Sequence, residues 1–274
     1  MQVAKYDRLT KLISSFKSCL VAYSGGVDSV LLAHLAARIL GENALAVIAD
    51  SPSLPRRELK EAEELARKFG FPLEIIRTGE FDNPDYSSNP VNRCYFCKTE
   101  LFTHLEKLAA DRGFSVVAYG ENASDAGDYR PGAQAAREFE VRSPLKEAGL
   151  TKDEIRAISA ELGLPTADKP AAPCLSSRIP YGEVVDRDKL AMVEQAEDCL
   201  HDLGLREIRV RHHQPTNDRP IARIELGEEE MRIFKERELE PTLTARLTEM
   251  GYADITIDLR GYRRGSLNPD SVKK

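Results

Sequence analysis

Hydrophobic and polar positions follow two interleaved patterns up to about residue 170. Segments with helical periodicity, such as the charged stretch 55–69 and the stretch 98–112, alternate with short apolar runs. The runs are typical of buried strands, and they fall at 21–23, 47–50, 73–76 and 115–119. Because strands that alternate with helices form parallel sheets, the pattern predicts an α/β fold with a parallel sheet and flanking helices.

The pattern changes at residues 169–182, where three prolines leave little room for regular structure. The elements predicted beyond this point are a helix at 187–203, strands at 207–211 and 221–226, a helix at 228–249 and a strand at 255–259. We therefore predict a domain over 1–180, a small α+β domain over 181–267 and a disordered tail over 268–274.

Composition and charge narrow the class of protein. Apolar residues make up 42% of the 274 residues and charged residues 31%, as in globular proteins. The formal charge of −6 argues against a general nucleic-acid coat, and no apolar run reaches the length of a membrane span. The N-terminus lacks the apolar core of a signal sequence, so we predict a cytoplasmic protein without membrane or nucleic-acid partners.

The most informative motif is Ser24-Gly-Gly-Val-Asp-Ser29, which lies between a predicted strand and a predicted helix. Such a turn presents backbone N–H groups and a positive helix end to an anion. Gly25 and Gly26 let the backbone approach a ligand closely, and Ser24 and Ser29 add hydroxyl groups. No lysine follows the glycines, so this is not a Walker loop. The motif resembles the pyrophosphate loop of ATP pyrophosphatases, which split ATP into AMP and pyrophosphate.

Four further residues are expected at the same nucleotide site, because the carboxyl ends of parallel strands form the ligand-binding edge of a sheet. Asp28 is expected to orient the loop or bind Mg²⁺, although the helix dipole alone also favours an acidic residue there. Asp50 and Ser51, at the end of the second strand, resemble the place where pyrophosphate-loop enzymes hold adenosine. Gly120, after a later strand, resembles their loop near the ribose and the α-phosphate.

The odd number of cysteines, five, favours metal, redox or catalytic use over a disulfide framework. Cys94 and Cys97 form a Cys-x-x-Cys pair, which suits a redox dithiol, half of a zinc site or part of an iron–sulfur site. Cys174, four residues before Arg178, is a candidate nucleophile or a third thiol, since a nearby cation favours the thiolate. A buried loop cysteine is the alternative at that position. Two cysteines in apolar settings are expected to be core thiols: Cys19 and Cys199.

Four segments together resemble the LarE family of ATP-dependent sulfur transferases: 24–29, 92–98, 173–178 and 258–268. The resemblance covers essentially the whole chain. It implies a Rossmann-like, adenine nucleotide alpha hydrolase-like domain followed by a small α+β domain, and a homo-oligomer, either trimer or hexamer. The implied substrate is pyridinium-3,5-biscarboxylic acid mononucleotide, a precursor of the nickel-pincer nucleotide of lactate racemase and related enzymes. ATP with Mg²⁺ would adenylate a carboxylate, and sulfur would then displace AMP.

The resemblance implies two possible sources of that sulfur. Family members with only the cysteine at position 174 give up its sulfur and keep dehydroalanine. Members with three cysteines bind a [4Fe–4S] cluster and pass on a sulfide held at the open iron. This chain has all three, so we predict the cluster-dependent version, with Cys174 as the catalytic residue and as metal ligands Cys94, Cys97 and Cys174.

The same matching points to six basic residues: Lys98, Arg178, Arg209, Arg211, Arg260 and Arg263. The first two are expected to contact phosphate or the acyl adenylate, and the other four to bind the substrate phosphate. The pair at 209 and 211 lies two residues apart on a predicted strand and would therefore share a face. A solvated strand face paired with Glu207 and Glu225 is the alternative for that pair.

Three other functions fit parts of the sequence. A tRNA-thiolating enzyme would share the loop and the cysteines, but a basic RNA-binding face is not evident in this acidic chain. An amide synthetase, as in NAD or GMP synthesis, would have no use for Cys174 or for the Cys-x-x-Cys pair. A non-catalytic nucleotide- or zinc-binding scaffold would bind ATP without releasing pyrophosphate.

Overall fold

The computed structural model describes residues 2–125, 131–214, 219–263 and 265–267. The chain forms two compact units, the first from residues 1–80 and 94–172 and the second from residues 81–93 and 173–274. The units thus divide between 172 and 173, and the short segment 81–93 belongs to the second. The predicted domain limits at 180 and 267 stay a prediction, and the predicted disordered tail lies outside the described residues.

The first unit is built around a four-stranded sheet. Its elements are α1 (Gln2–Ser14), β1 (Cys19–Ala22), α2 (Val27–Leu40), β2 (Ala44–Asp50), α3 (Arg56–Phe69), β3 (Leu73–Arg77), α5 (Arg93–Arg112), β4 (Val116–Tyr119), α6 (Pro131–Glu138), α7 (Pro144–Glu147) and α8 (Lys152–Glu161). Neighbouring strands of the sheet are parallel, in the order β3-β2-β1-β4.

Alternate residues of the central strand β1 enter two different apolar clusters. Cys19 and Val21 pack in a cluster with α1, α2 and α8, whereas Leu20 and Ala22 pack in a cluster with α5 and α6. Because successive side chains of a strand point to opposite faces, helices cover both faces of this sheet. The predicted α/β class is confirmed.

The strand order creates a reversal next to β1. The chain proceeds from β1 to β2 and β3 on one side, and then returns to place β4 on the other side of β1. Ser24 follows β1 and Gly120 follows β4, so the two loops flank the point where the order reverses. In open parallel sheets, ligands bind in the crevice beyond the carboxyl ends of strands at such a point.

The second unit contains a three-stranded mixed sheet. Its elements are α4 (Pro84–Ser87), α9 (Arg187–Asp202), β5 (Ile208–His213), β6 (Ile221–Leu226), α10 (Glu228–Glu236), α11 (Glu240–Glu249) and β7 (Asp254–Ile257). Strands β5 and β6 are antiparallel, and β6 and β7 are parallel. Apolar residues of β5 and β6 pack with α9, α10 and α11 on one face. This confirms a small α+β region in the C-terminal part of the chain.

Two predicted helices need correction. A single helix over 228–249 is wrong, because Glu238 between α10 and α11 has a φ of 50° and Pro241 stands in the first turn of α11. A left-handed residue ends a helix, and proline is tolerated only at the start of one. The helix predicted over 98–112 begins earlier, at Arg93, because Tyr95 extends its apolar stripe. No helix among the described residues is long and apolar enough to cross a membrane.

Candidate active site

The start of α2 is an open helix terminus. Gly26 is its N-cap, with φ −82° and ψ 160°, and no side chain caps the helix there. The first N–H groups of a helix have no partner within the helix, and they carry its positive dipole end. Since Gly26 offers no side chain to bind them, this end of α2 is suited to an anion such as the phosphates of ATP.

The two serines of the loop play different roles. The Ser29 hydroxyl accepts a hydrogen bond from the backbone N–H of Ser24 (3.1 Å) and donates one to the carbonyl of Gly26 (3.1 Å). Ser29 is buried, so its hydroxyl serves to fix the turn. Ser24 is exposed, and its hydroxyl lies 3.1 Å from that of Ser29. Ser24 is therefore the loop hydroxyl that a ligand can reach.

Two glycines are required by close approach. Gly25 has a φ of 70°, and a Cβ added there would lie 3.1 Å from the Cβ of Ala62 in α3. A Cβ on Gly120 would lie 3.0 Å from the backbone nitrogen of Ser29 and 3.0 Å from the Cβ of Asp28. The loop after β4 is thus packed directly on the first turn of α2, which brings two of the predicted nucleotide segments together.

Asp28 is held by two partners at this junction. Its carboxylate accepts a hydrogen bond from the side chain of Asn122 (3.1 Å) and forms an ion pair with the Lys152 ammonium (2.5 Å). Asn122 follows Gly120 closely in the same loop, and Lys152 is the first residue of α8. The side chain of Asp28 is 18% exposed, so a ligand can still reach the carboxylate.

A second carboxylate, that of Glu121, fixes the same loop through its hydrogen bonds. It is buried, and it accepts hydrogen bonds from Lys146 (2.8 Å), Tyr119 and Ser143 (3.1 Å). Burial alone would raise the pKa of Glu121, but the hydrogen bonds from Lys146 and Tyr119 outweigh it, so the pKa lies below its ordinary value. The loop after β4 is therefore anchored by an ionised carboxylate.

The end of β2 carries a further polar cluster. Asp50 pairs with Arg56, which also donates to the carbonyl of Ser51 (2.8 Å). The Ser51 hydroxyl lies 2.8 Å from that of Ser53, and Ser53 lies 3.5 Å from the carboxylate of Glu80. The predicted Asp50 is partly exposed, whereas the predicted Ser51 is buried and serves the turn.

Cys94, Cys97 and Lys98 lie in the first two turns of α5. Cys94 is exposed and Cys97 is half-buried; residues three apart on a helix share a face. The Lys98 ammonium lies 5.6 Å from the centre of the Phe102 ring. The aliphatic part of the Lys98 side chain packs against Gly132, where an added Cβ would lie only 2.9 Å from the Cγ of Lys98. This helix begins on the carboxyl side of the sheet, because it connects β3 to the parallel strand β4.

In the second unit, Cys174 is the N-cap of a short 3₁₀ turn, 175–178, and is half-buried. The guanidinium of Arg178 donates to the carbonyls of Pro173 (2.6 Å) and Cys174 (3.1 Å). The same group forms two parallel bonds to the carboxylate of Glu197 in α9, at 2.9 and 2.8 Å. Burial alone would raise the pKa of Glu197, but the charge of Arg178 outweighs this effect, so the pKa lies below its ordinary value. Both groups of this buried pair are therefore ionised. Arg178 is thus placed to position the cysteine loop.

The predicted pair Arg209 and Arg211 does share one face of β5, and both residues are buried. Arg211 binds the fully buried carboxylate of Glu225 on β6 at 2.6 Å and the hydroxyl of Ser266 at 2.9 Å. Arg209 stacks on the ring of Tyr262 at 4.9 Å. The alternative for this pair was a solvated strand face with Glu207 and Glu225 as partners. Glu225 is indeed the partner of Arg211, but the face is buried.

Arg260 and Arg263 flank a third carboxylate, that of Asp258. The backbone N–H of Arg260 donates to Asp258 at 2.9 Å, and its guanidinium does so at 3.1 Å, while Arg263 lies 3.7 Å away. The hydrogen bond from Arg260 lowers the pKa of Asp258 to about 2. Gly261, with φ 68°, lets the chain turn back. The backbone N–H of Tyr262 then donates to the carbonyl of Leu226 (2.8 Å), and the Tyr262 ring stacks with the guanidinium of Arg209.

Several residues of these clusters do not follow from the motifs. Lys152, Glu197 and Arg223 join the clusters through tertiary contacts only. Of these three, only Lys152 could have been noticed from its local sequence. A lysine in the first turn of a helix is opposed by the helix dipole, so its presence there indicates an acidic partner. Arg223 donates to Glu225 at 3.2 Å and lies 4.0 Å from Asp258, so it links the two carboxylates.

The three candidate metal ligands can be compared with the predicted cluster. Among the described residues, no group of three or more His, Cys, Asp or Glu side chains is arranged to hold a metal ion. The chemistry of Cys94, Cys97 and Cys174 fits an iron–sulfur cluster, since each supplies a thiol at a position that is not fully buried.

Comparisons with known proteins agree with this architecture. The NAD synthase family matches residues 6–84, which include the loop and α2. The chain is 45% identical to an uncharacterized protein of Synechocystis over 98% of both chains. It is 28% identical to a glutamine-hydrolyzing GMP synthase chain of Thermoplasma volcanium, over 73% of this chain and 67% of that one. It is 34% identical to the pyridinium-3,5-bisthiocarboxylic acid mononucleotide synthase of Lactiplantibacillus plantarum, over 98% of this chain and 95% of that one. The chain therefore belongs to the family of that synthase, the LarE family.

Proposed function

We propose that this chain is an ATP-dependent sulfur transferase. It would adenylate the carboxylates of pyridinium-3,5-biscarboxylic acid mononucleotide and convert them to thiocarboxylates. The observation that carries the proposal is the pairing of two features in a chain related over nearly its whole length to the synthase. One is the open helix start at Gly26, and the other is a partly exposed Cys174 on a loop fixed by Arg178.

The first unit would bind ATP. Backbone N–H groups at the start of α2 and the Ser24 hydroxyl would bind the β- and γ-phosphates, and Asp28 would bind the Mg²⁺ that accompanies them. Asp50 lies at the end of the neighbouring strand β2, on the side expected for the nucleoside. A carboxylate oxygen of the substrate would attack the α-phosphorus and expel pyrophosphate, whose charge the loop and Mg²⁺ would stabilise.

The second unit would bind the substrate phosphate and present the sulfur nucleophile. Among the residues of this unit that the structure describes, the polar network contains six arginines and three carboxylates. The described cations are Arg178, Arg209, Arg211, Arg223, Arg260 and Arg263, and the described carboxylates are Glu197, Glu225 and Asp258. A dianionic phosphate would balance most of this excess, and guanidinium groups bind phosphate in a bidentate manner.

Sulfur transfer would follow adenylation. A sulfur nucleophile at Cys174 would attack the acyl carbon, and AMP would leave with the electrons of the acyl–oxygen bond. If the Cys174 thiolate attacks, a thioester forms first. Removal of the Cα proton and cleavage of the Cβ–S bond then yield the thiocarboxylate and dehydroalanine at 174. In this version each chain donates sulfur once.

We further propose that Cys94, Cys97 and Cys174 hold a [4Fe–4S] cluster. When bound, the cluster would supply an open iron that carries an exchangeable sulfide, so the chain's own sulfur would be spared. The support is the set of three thiols, two of them on one helical face. Cys94 and Cys97 at the start of a helix also suit a redox dithiol, which makes the metal content decisive.

The proposed function is tested by supplying the purified protein with Mg²⁺, ATP and the pyridinium substrate. We expect pyrophosphate release that depends on the pyridinium substrate, together with a thiocarboxylate product. Pyrophosphate release without thiolation would point to an amide synthetase, binding without release to a scaffold, and dependence on tRNA in place of the pyridinium compound to a tRNA-thiolating enzyme.

The sulfur source is tested on protein purified without oxygen. Iron and acid-labile sulfide, together with a visible spectrum, should indicate about four irons per chain, and these should be lost in Cys94→Ala. Absence of iron, with loss of one H₂S from the intact mass after turnover, would contradict the cluster and support sacrifice of Cys174.

A further inference from the structure

The loop 173–182, which carries Cys174, contains one short 3₁₀ turn, and side chains bind many of its carbonyl groups. Three of these carbonyls, at positions 173, 174 and 177, accept hydrogen bonds from Arg178 and Arg211. Three more, at positions 176, 179 and 180, accept from the segment 81–93, which is remote in sequence but lies in the same unit. Because an irregular backbone must find partners for its polar groups, these side chains determine the path of the loop.

Asn89 is the first of two residues by which the segment 81–93 holds the loop. Its side-chain Nδ2 donates to the carbonyl of Pro180 at 2.7 Å and to that of Ile179 at 3.4 Å. Its own carbonyl accepts a hydrogen bond from the backbone N–H of Gly182 at 2.9 Å. Asn89 thus bonds to the end of the loop through both its side chain and its backbone.

The backbone of Asn89 adopts a conformation that residues with a side chain disfavour. Its φ is 56°, in the left-handed region, and the residue is fully buried. The other described residues with a positive φ, glycines apart, are Glu140 and Glu238, and both are exposed. A strained backbone persists only where the surrounding contacts fix it, and such positions are concentrated at functional sites. The contacts that fix Asn89 are the ones that hold the cysteine loop.

Arg93 is the second of these residues, and it is also buried. Its guanidinium donates to the carbonyl of Ser176 at 2.9 Å and to the side-chain oxygen of Asn89. The hydroxyl of Ser176 lies 2.8 Å from that of Tyr86, in the same segment. Ser176 stands two residues after Cys174, so the part of the loop nearest the cysteine is held as well.

We propose that Asn89 and Arg93 are positioning residues for sulfur transfer. They bind the carbonyl groups of the loop, so that the sulfur nucleophile at Cys174 keeps one position during its attack on the acyl carbon. Both act through the loop and not on the reacting atoms. A misplacement of about 1 Å lowers a rate by about 100-fold, so a loosened loop should slow this step alone. The inference rests on the proposed function, because it assumes that Cys174 delivers the sulfur.

The first test separates sulfur transfer from adenylation in a single turnover. Asn89→Gly keeps the positive φ, which glycine adopts freely, but removes the side-chain bonds. Arg93→Met removes the guanidinium and keeps an aliphatic side chain. In each variant the rate of thiocarboxylate formation should fall by about 10- to 100-fold. Pyrophosphate release should continue at the natural rate, because the acyl adenylate that sulfur does not capture is hydrolysed by water to the carboxylate and AMP.

Arg187→Met is the matched control. Arg187 contacts the same segment, since its guanidinium lies 5.8 Å from the centre of the Phe81 ring, but the described bonds to the loop carbonyls come from other residues. This variant should keep the natural rates of both thiolation and pyrophosphate release.

The second test needs no substrate. Hydrogen–deuterium exchange over 174–182 should be faster in Asn89→Gly and Arg93→Met than in the natural chain. The reason is that the N–H groups of Ser177 and Ile179, which bond within the 3₁₀ turn, would lose the support of that turn. Exchange in β6, the central strand of the sheet in the same unit, should match that of the natural chain.

Three results would overturn the inference. They are unchanged thiolation in both variants, a parallel loss of thiolation and pyrophosphate release, and faster exchange in β6 as well as in the loop. The last two would show that Asn89 and Arg93 only support the fold. If the natural chain itself forms no thiocarboxylate, the proposed function fails, and this inference falls with it whatever the exchange rates show.

Discussion

The two units differ in the source of their positive charge, which is backbone in the first and side chains in the second. At the start of α2 in the first unit, the proposed anion site consists of backbone N–H groups in a glycine turn, with one nearby lysine. On the polar face of β5 and β6 in the second unit, the charge comes from arginine side chains, two of them buried with Glu197 and Glu225.

The difference matters because the two kinds of site fail differently. A backbone site depends on the path of the chain, so it is sensitive to a single added Cβ and tolerant of side-chain change. A site of buried ion pairs depends on each partner, because removing one leaves an uncompensated charge in a dry environment. The two sites should accordingly respond to different substitutions.

The largest effect is expected from Cys174→Ser. If the first unit activates the substrate and the second delivers sulfur, formation of thiocarboxylate should fall by a factor of about 10³ or more. Release of pyrophosphate should continue, since Cys174 takes no part in adenylation. Mass spectrometry of the product and a coupled pyrophosphate assay separate the two steps.

Cys199→Ala is the matched control for that experiment. Cys199 is buried in the apolar cluster of the second unit and has no place in the proposed chemistry. Thiolation by this variant should match that of the natural chain once stability is allowed for. Persistent thiolation by Cys174→Ser would contradict a role for Cys174 in delivering sulfur.

The next effect concerns the two kinds of arginine in the second unit. Arg178 is buried in a bidentate pair, whereas the side chain of Arg260 is 66% exposed beside Asp258. Arg178→Met should lower the free energy of unfolding by about 3–5 kcal/mol, because Glu197 would be left buried and unpaired. Arg260→Met should cost less than about 1 kcal/mol, as for exposed pairs. Urea titration measures both, and similar losses in the two variants would contradict the distinction.

The same contrast explains what could be foreseen from sequence. The strand, glycine turn and helix start at residues 19–29 are contiguous, so the apolar run and Ser24–Ser29 were enough to predict the loop and its place on the sheet. The capping box at Thr151 and Glu154 is also local, because its Thr-x-x-Glu spacing can be read directly from the sequence. Local patterns therefore predicted the fold class and the strand, turn and helix on which the proposed backbone site is built.

The side-chain networks could not be foreseen in the same way. The pairing of Arg211 with Glu225 depends on the register of β5 against β6, and that of Arg178 with Glu197 on packing against α9. Arg178 was expected to contact a ligand, but the structure bonds its guanidinium to Glu197 and to its own loop. Which cation serves which anion is a tertiary property, and a motif reveals only that the cations are present.

A smaller effect is expected from paired glycine substitutions in the first unit. Gly25 and Gly113 both have positive φ, at 70° and 73°, but only Gly25 has a neighbour, Ala62, within reach of an added Cβ. Alanine at Gly113 should cost about 1–2 kcal/mol of stability, the backbone penalty alone. Alanine at Gly25 should cost more and should also weaken binding of an ATP analogue by about tenfold or more, since the loop must shift. Unchanged affinity in Gly25→Ala would contradict a backbone site.

The smallest effect is a pH dependence confined to the second unit. His212 lies on β5 between Arg211 and His213, yet it points to the apolar face, where its ring packs against Tyr252 at 5.5 Å. Burial lowers the pKa of His212 to about 4, whereas the unfolded chain would have a value of about 6.5. As the pH falls, the unfolded state therefore takes up a proton before the folded state does. The stabilising contribution is thus full above about pH 6.5 and is lost towards pH 4.

Between pH 7.5 and pH 5 the loss from His212 amounts to about 2 kcal/mol of unfolding free energy. Urea titrations at the two pH values measure it. His212→Gln should lose less stability than the natural chain over this range, by that amount, because glutamine does not titrate. His104→Gln, at an exposed site on α5, should keep the natural slope. Equal slopes in all three proteins would show that the burial of His212 does not govern the acid sensitivity of this unit.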